Sequence, residues 1–206
     1  MSDLTALGRV RLSEHFFMRD MLYSEVAAAS GLVNLPEDSD LAIEAGRNLC
    51  RWVLEPLRAG LGHVALRSAY RSPTVNGRCH ALHKAGVADS WCASNDDSAG
   101  AHIWDRRDRA GRLGATATVV VPRYLDHYEQ TGDWRPLAWW IRDHVPEHAE
   151  VQFFRVQCAF NIGWSEGPSD RSIGLLDPPT RLQLTAAGAP EFEGDHSPLY
   201  RHILPI

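Results

Sequence analysis

Residues 64–76 read VALRSAYRSPTVN, and the fold turns on how this stretch is parsed. Val64, Leu66 and Ser68 alternate with Ala65, Arg67 and Ala69, the period of a strand. Pro73, which has no backbone donor, closes it. Upstream, Ser13–Ala29 carries apolar residues at helical spacing, with Phe17, Met21, Leu22 and Val26 on one face and Gly31 as the stop. NLPEDSD (34–40) supplies the N-cap candidates Asp38, Ser39 and Asp40 for a longer helix over Leu41–Leu61. Leu49, Trp52 and Val53 form the apolar stripe of that helix, and Pro56 is expected to kink or restart it.

Downstream, residues 76–101 are rich in Gly, Ala, Ser, Asn and Asp without a clear period and read as a long loop. HIWD (102–105) and ATATVVVP (115–122) flank the turn RRDRAGRLG, a pattern that predicts a β-hairpin. A short helix begins in VPRYLDHYEQTGDW. A second helix follows in DWRPLAWWIRDHV, with Asp133 as cap, Pro136 in the first turn, and Leu137, Trp140 and Ile141 on one face. EVQFFRV and CAFNIGW read as two more strands. From Ser165 the chain is rich in Pro, Gly and Asp. It is expected to run over the surface as a tail, docking through Leu199, Tyr200 and Ile203–Ile206. The expected architecture is α+β: an antiparallel sheet with helices packed on one side over residues 1–164, and a C-terminal tail over 165–206.

The bulk chemistry excludes several functions. A net charge of −5 over 206 residues opposes a general nucleic-acid surface. The basic segment Arg106–Arg112 is interrupted by Asp105 on one side and Asp108 within it. No apolar run approaches the roughly 20 residues that cross a bilayer, so no membrane insertion is expected. The N-terminus lacks the basic start and apolar core of a signal peptide, which predicts synthesis in the cytoplasm and release, if any, by lysis or within a particle. Cys50, Cys79, Cys92 and Cys158 form no C-x-x-C pair and are expected to be free thiols.

LSEHFFMRDMLYSEVAAASGLVNLPED (12–38), NLCRWVLEPLRAGLGHVALRSAYRSPTVN (48–76) and PLAWWIRDHVPEHAEVQFF (136–154) together resemble the zinc D-Ala-D-Ala peptidases of the M15 type. The resemblance runs from about Leu12 to Trp164, and SAYRSPTVN is its most specific piece. It implies the DD-peptidase fold and an active site with four parts: a His and an Asp in S-x-H-x-x-G-x-A-x-D, a second His in a late W-x-H strand, an acid acting as general base, and the arginine of YRSP facing substrate. Two imidazoles and a carboxylate leave zinc an open position for an activated water.

Carried over residue by residue, Arg71 matches. The first metal pair has two placements. His83–Asp89, in HKAGVAD, is one residue too short. His102, followed after the inserted turn by Gly114, Ala117 and Thr118, keeps the spacing to the AWWIRDHV helix and is preferred. Threonine then stands where the aspartate belongs. Asn161 stands for the second histidine, and Cys158 falls about where the acid is expected. Thr and Asn are poor zinc ligands.

The resemblance therefore implies a non-catalytic domain with a degenerate zinc site and no cofactor. It implies a structural or envelope-binding component of a phage or phage-derived particle. Partners are expected to be other particle proteins or copies of the chain, met through 76–101 and 165–206, or peptidoglycan or a surface polysaccharide. Binding candidates are Arg71, His102, Trp104 and Asn161, with Trp104 a stacking surface; catalytic remnants are Arg71, His102 and Cys158. Arg71 has a structural alternative, tying the YRSP turn to a carboxylate. The rival function is an active zinc DD-carboxypeptidase or endolysin using His83, Asp89 and His102. A Cys158–His102–Asn161 hydrolase is a third, and a Cys79, His80, His83, Cys92 metal cluster and a His102–Asp105 pair are weaker local readings.

Overall fold

The computed structural model describes residues 2–87, 91–167, 169–178 and 180–206. Three short helices come first: α1 (Ser2–Gly8), α2 (Met18–Met21) and α3 (Glu25–Ser30). The single helix expected over 13–29 is broken. The Met18 N–H bonds Val10 O at 2.9 Å, and the Phe17 N–H bonds the Asp20 carboxylate at 2.8 Å, so the chain enters helix only at Met18. Ser24 caps α3, and Gly31 ends it at φ +62°, as its position predicts.

α4 (Ser39–Leu49), a π-helical turn (Cys50–Leu54) and α5 (Glu55–Leu61) form one continuous helical run. Asp38 caps it, its carboxylate accepting the Leu41 N–H at 3.0 Å. Pro56 neither kinks nor restarts the run. The π turn absorbs it: the Glu55 N–H bonds Cys50 O, five residues back, so the register slips where Pro56 would otherwise leave a carbonyl unmatched. The slip also turns Trp52 outward, 41% exposed, while Leu49 and Val53 stay buried. A Cβ at Gly60 would enter the Trp140 ring, so only glycine lets α5 lie this close to its neighbour.

β1 (Ala65–Ser68) follows as expected. α6 (Pro73–Lys84) and α7 (Asn95–Ser98) then occupy half of the stretch read as a loop. The pair Ser72-Pro73 is a helix start: the Ser72 hydroxyl accepts the Val75 N–H at 3.3 Å, and Pro73 takes the first helical position. The expected hairpin is absent. β2 (Gly114–Val120) is a strand, but His102–Asp105 forms turns with one isolated bridge, Ala99 to Ile103. The intervening turn is closed by Asp108, whose carboxylate accepts the Ala110 and Arg112 N–H groups. α8 (Pro122–Thr131), α9 (Arg135–His144), β3 (Glu150–Phe154) and β4 (Phe160–Ser165) fall where periodicity places them.

The residues read as a surface tail add β5 (Ser172–Asp177) and β6 (Thr180–Thr185) to the sheet before α10 (Ser197–Tyr200). The six strands run in the order β1-β2-β4-β3-β5-β6. β5 lies parallel to β3, so the sheet is mixed and not purely antiparallel. Parallel pairing needs a connection that crosses over, and here β4 and the following segment supply it. The last residues do dock, through Tyr200 and Leu204, which are buried, while Leu199 and Ile206 are exposed.

One sheet face is apolar and buried: Ala115, Ala117, Val119, Val151, Phe153, Phe160 and Ile162 pack toward the long helix and α9. The alternate positions Thr116, Thr118, Gln152 and Asn161 are half-buried and polar. The fold is thus α+β, with one sheet face for the core and a polar face left for other use.

Candidate functional site

The YRSP turn is held from three sides. Asn34 donates to Tyr70 O at 2.9 Å and accepts the Ser72 N–H at 2.8 Å. The Arg71 N–H bonds His102 O at 2.8 Å. The Tyr70 hydroxyl donates to Asp105 at 3.2 Å, and the same Asp105 oxygen accepts the Glu37 N–H at 2.7 Å. Asp105 is therefore a buried clamp between the turn and the start of α4. Its partners are Tyr70, Glu37 and Asp38, and the His102–Asp105 pairing is replaced by them.

The Arg71 guanidinium is buried against sulfur. Its Nη1 lies 2.6 Å from Cys92 Sγ and 3.7 Å from Cys79 Sγ, and its Nε has no hydrogen-bond partner among the described residues. No carboxylate among those residues reaches it. Burial lowers its pKa to about 10. The two sulfurs form a disulfide, with a Cα–Cα separation of 5.7 Å. The free-thiol expectation fails here because α6 carries Cys79 back to the 92–94 segment, a proximity that spacing alone does not reveal. A bridge across 13 residues constrains the unfolded chain by about 3 kcal/mol. Cys79→Ser with Cys92→Ser is expected to lose about that much in urea denaturation, and added reductant should then no longer shift the midpoint.

His102 lies beside Arg71. Its Nδ1 donates to Ala69 O at 3.0 Å, which leaves Nε2 as the acceptor. Burial, then the Arg71 charge, pushes its pKa down to about 3, against the opposing Ala69 bond. Next to it, Ala101 O accepts the Thr116 N–H, and Thr118 stands two residues further along β2. Thr118 is in register with both Ser68 and Asn161, and its hydroxyl donates to Asn161 Oδ1 at 2.6 Å. Ser68, Thr118 and Asn161 thus lie on one line across the sheet, and His102 and Arg71 sit where the chain leaves β1, His102 bonded to Ala69 and Arg71 two residues beyond it.

The other candidates lie elsewhere. Trp104 is core: fully buried, edge-on to Tyr70 at 6.0 Å, its indole N–H on Thr116 O at 3.2 Å, so its ring offers no stacking surface. Cys158 is buried beside Tyr124 and Tyr128 of α8, its thiol raised to about 12 by burial and then by Asp133, a poor nucleophile in any Cys–His–Asn set. His83, on α6, faces the Trp91 ring at 5.4 Å, and His80 bonds Cys92 O at 2.9 Å. Asp89 lies outside the described residues. No family model matches this chain, and no curated protein or solved structure does either.

The donor set fits zinc poorly. Of His102, Thr118 and Asn161, His102 has the arrangement of a metal histidine, one ring nitrogen tied to a backbone carbonyl and the other an acceptor. Thr118 and Asn161 offer a hydroxyl and a neutral amide that already satisfy each other. Among the described residues, no group of three His, Cys, Asp or Glu side chains converges as a metal site would require. What the neighbourhood offers is a buried cation with no acidic partner among the described residues, a neutral imidazole and a polar strand surface. That is binding chemistry for an anionic or hydrogen-bonding ligand. Asn34 and Tyr70 are the residues that sequence reasoning passed over, while Asp105, weighed there only as a partner of His102, serves Tyr70 and the start of α4 instead.

Proposed function

We propose that this chain is a non-catalytic domain of the M15-peptidase type, serving as a structural or envelope-binding component of a phage or phage-derived particle. The observation that supports it most is the 2.6 Å hydrogen bond between Thr118 and Asn161 at the two positions where the resemblance calls for zinc ligands. A carboxylate and an imidazole at such positions would bind the metal; a hydroxyl and an amide satisfy one another and hold β2 to β4. Arg71, buried without an acidic partner among the described residues, then serves to bind a carboxylate or similar group of an envelope polymer. No helix among the described residues is long and apolar enough to cross a membrane.

The test is metal and product analysis. Wild-type protein, loaded with zinc and dialysed, is expected to retain none and to release no D-Ala from a stem pentapeptide. Thr118→Asp combined with Asn161→His is expected to retain about one zinc per chain, since it rebuilds a three-ligand set on His102. Retention of zinc by the wild type, or D-Ala release that disappears in His102→Ala, would replace this reading with the active peptidase.

A further inference from the structure

We infer that α4 carries a self-complementary docking face through which two copies of this chain pair about a two-fold axis. This rests on the helix surface alone and is independent of the proposed function. Asp40, Glu44, Arg47 and Arg51 follow one another at intervals of four, three and four residues, which places them in one row along the helix. All four are exposed. None takes part in an ion pair with another described residue, although arginines and acids elsewhere on the described surface are paired repeatedly.

The order of charges follows the helix dipole, acids toward the N-terminus and bases toward the C-terminus, but it leaves two like-charge neighbours along the row. Asp40 and Glu44 are like charges one turn apart, and so are Arg47 and Arg51; both arrangements destabilise an isolated helix. A second copy laid antiparallel across the midpoint of the row removes the cost. Asp40 then meets Arg51 of the other copy and Glu44 meets Arg47, and the two-fold axis repeats both contacts. The row reads acid, acid, base, base, so its antiparallel copy reads base, base, acid, acid against it. This is the condition for an isologous interface.

The surroundings fit an interface. A groove of about 690 Å³ lies between the row and the N-terminal segment, floored by Val10, Leu12 and Ile43. A second of about 760 Å³ adjoins it at Leu12 and Arg51. Trp52 stands exposed with the Arg51 guanidinium 4.7 Å over its ring, and Trp and Arg are the side chains that most often anchor protein interfaces. The helical run from Ser39 to Leu61 is about 34 Å long at the usual rise, enough to support a contact of ordinary size.

Sedimentation equilibrium of the full chain tests this. The wild type is expected to dimerise, and more weakly at high salt because the pairs are exposed. Arg47→Glu and Glu44→Arg should each weaken dimerisation at least about tenfold, since each sets like charges face to face twice. Mixed together, the two single variants should pair with each other, because one then presents acids at both positions 44 and 47 and the other presents bases at both. The double variant Glu44→Arg, Arg47→Glu should dimerise as the wild type does, and circular dichroism checks that every variant is folded. A wild type that stays monomeric at both salt concentrations, a dimer indifferent to either reversal, or a mixture that fails to pair would overturn the inference.

Discussion

Between pH 7 and pH 5 the folded protein is expected to lose about 4 kcal/mol of stability, half from His102 and half from His148. Both imidazoles are buried and neutral in the fold. Burial pushes His102 down to about 3, helped by the Arg71 charge. Burial also pushes His148 down to about 4, against the bond from its Nδ1 to Val145 O, with the Arg171 charge adding to the shift. In the unfolded chain each titrates near the usual value of about 6.5. Below that pH the unfolded state binds protons that the native state refuses, so stability falls as pH falls. The loss continues until the folded values are reached, near pH 4 for His148 and pH 3 for His102. Each group contributes about 2 kcal/mol by pH 5. Urea denaturation at the two pH values measures it.

The variant that separates the two histidines is His102→Asn, whose amide can still donate to Ala69 O. It should remove about half of the pH dependence and leave the His148 half in place. A wild type equally stable at pH 7 and pH 5, or a His102→Asn protein with undiminished pH dependence, would show that these imidazoles are not held neutral. The same substitution bears on the site, because the Arg71 guanidinium adds to the burial that lowers the His102 pKa. A ligand carboxylate arriving at Arg71 would relieve part of that shift.

How much of this was legible in the sequence depended on whether local pattern and tertiary demand agreed. They agree in α9, where Leu137, Trp140 and Ile141 share a face and are all buried, and in β3 and β4, where Val151, Phe153, Phe160 and Ile162 alternate with half-buried polar residues. They part at Ser72-Pro73. Proline both ends strands and begins helices, and the strand reading hid α6. β5 and β6 were lost for another reason. Gly174 sits mid-strand and weakens the pattern, yet it is required there, because a Cβ would strike Leu182 O of the neighbouring strand. The disulfide was illegible because the distance between Cys79 and Cys92 has meaning only once α6 exists. Of the candidate site, the chemistry of Arg71, Thr118 and Asn161 could be read from residue type and order. Their proximity could not, since it depends on the pairing of β1, β2 and β4.

The C-terminal segment makes the second large prediction, because its attachment rests on one carboxylate. Asp143 lies near the end of α9, where the helix dipole disfavours a negative charge. It is nonetheless buried there, with a side chain 13% exposed, because four donors converge on it. His196 Nδ1 lies 2.9 Å from Oδ1, the Tyr200 hydroxyl donates at 2.9 Å to Oδ2, Arg142 donates at 3.0 Å, and the His196 N–H at 3.3 Å. Trp139 stacks flat on the His196 ring at 4.3 Å, and the Trp140 indole donates to Pro205 O at 2.8 Å, so the chain after β6 is bound to one helix face. Asp143→Ala leaves the Arg142 cation with only the longer Glu193 and Gly194 contacts and takes the carboxylate from three further donors, and removing one member of such a set costs about 4 kcal/mol. Tyr200→Phe deletes the hydrogen bond to the same carboxylate together with the contact to His144 Nε2 at 3.1 Å, and should cost about 1.5 kcal/mol. The two should not fully add, because the loss of Asp143 already removes one of the bonds the Tyr200 hydroxyl makes. Urea denaturation of the two variants and their combination gives these values. Limited proteolysis should cut Asp143→Ala early within the segment after β6 while the rest resists, because that segment loses its anchor before the sheet does. If Asp143→Ala stays within about 1 kcal/mol of the wild type, the segment is held by its apolar contacts, Tyr200 and Leu204, and the buried network adds only specificity.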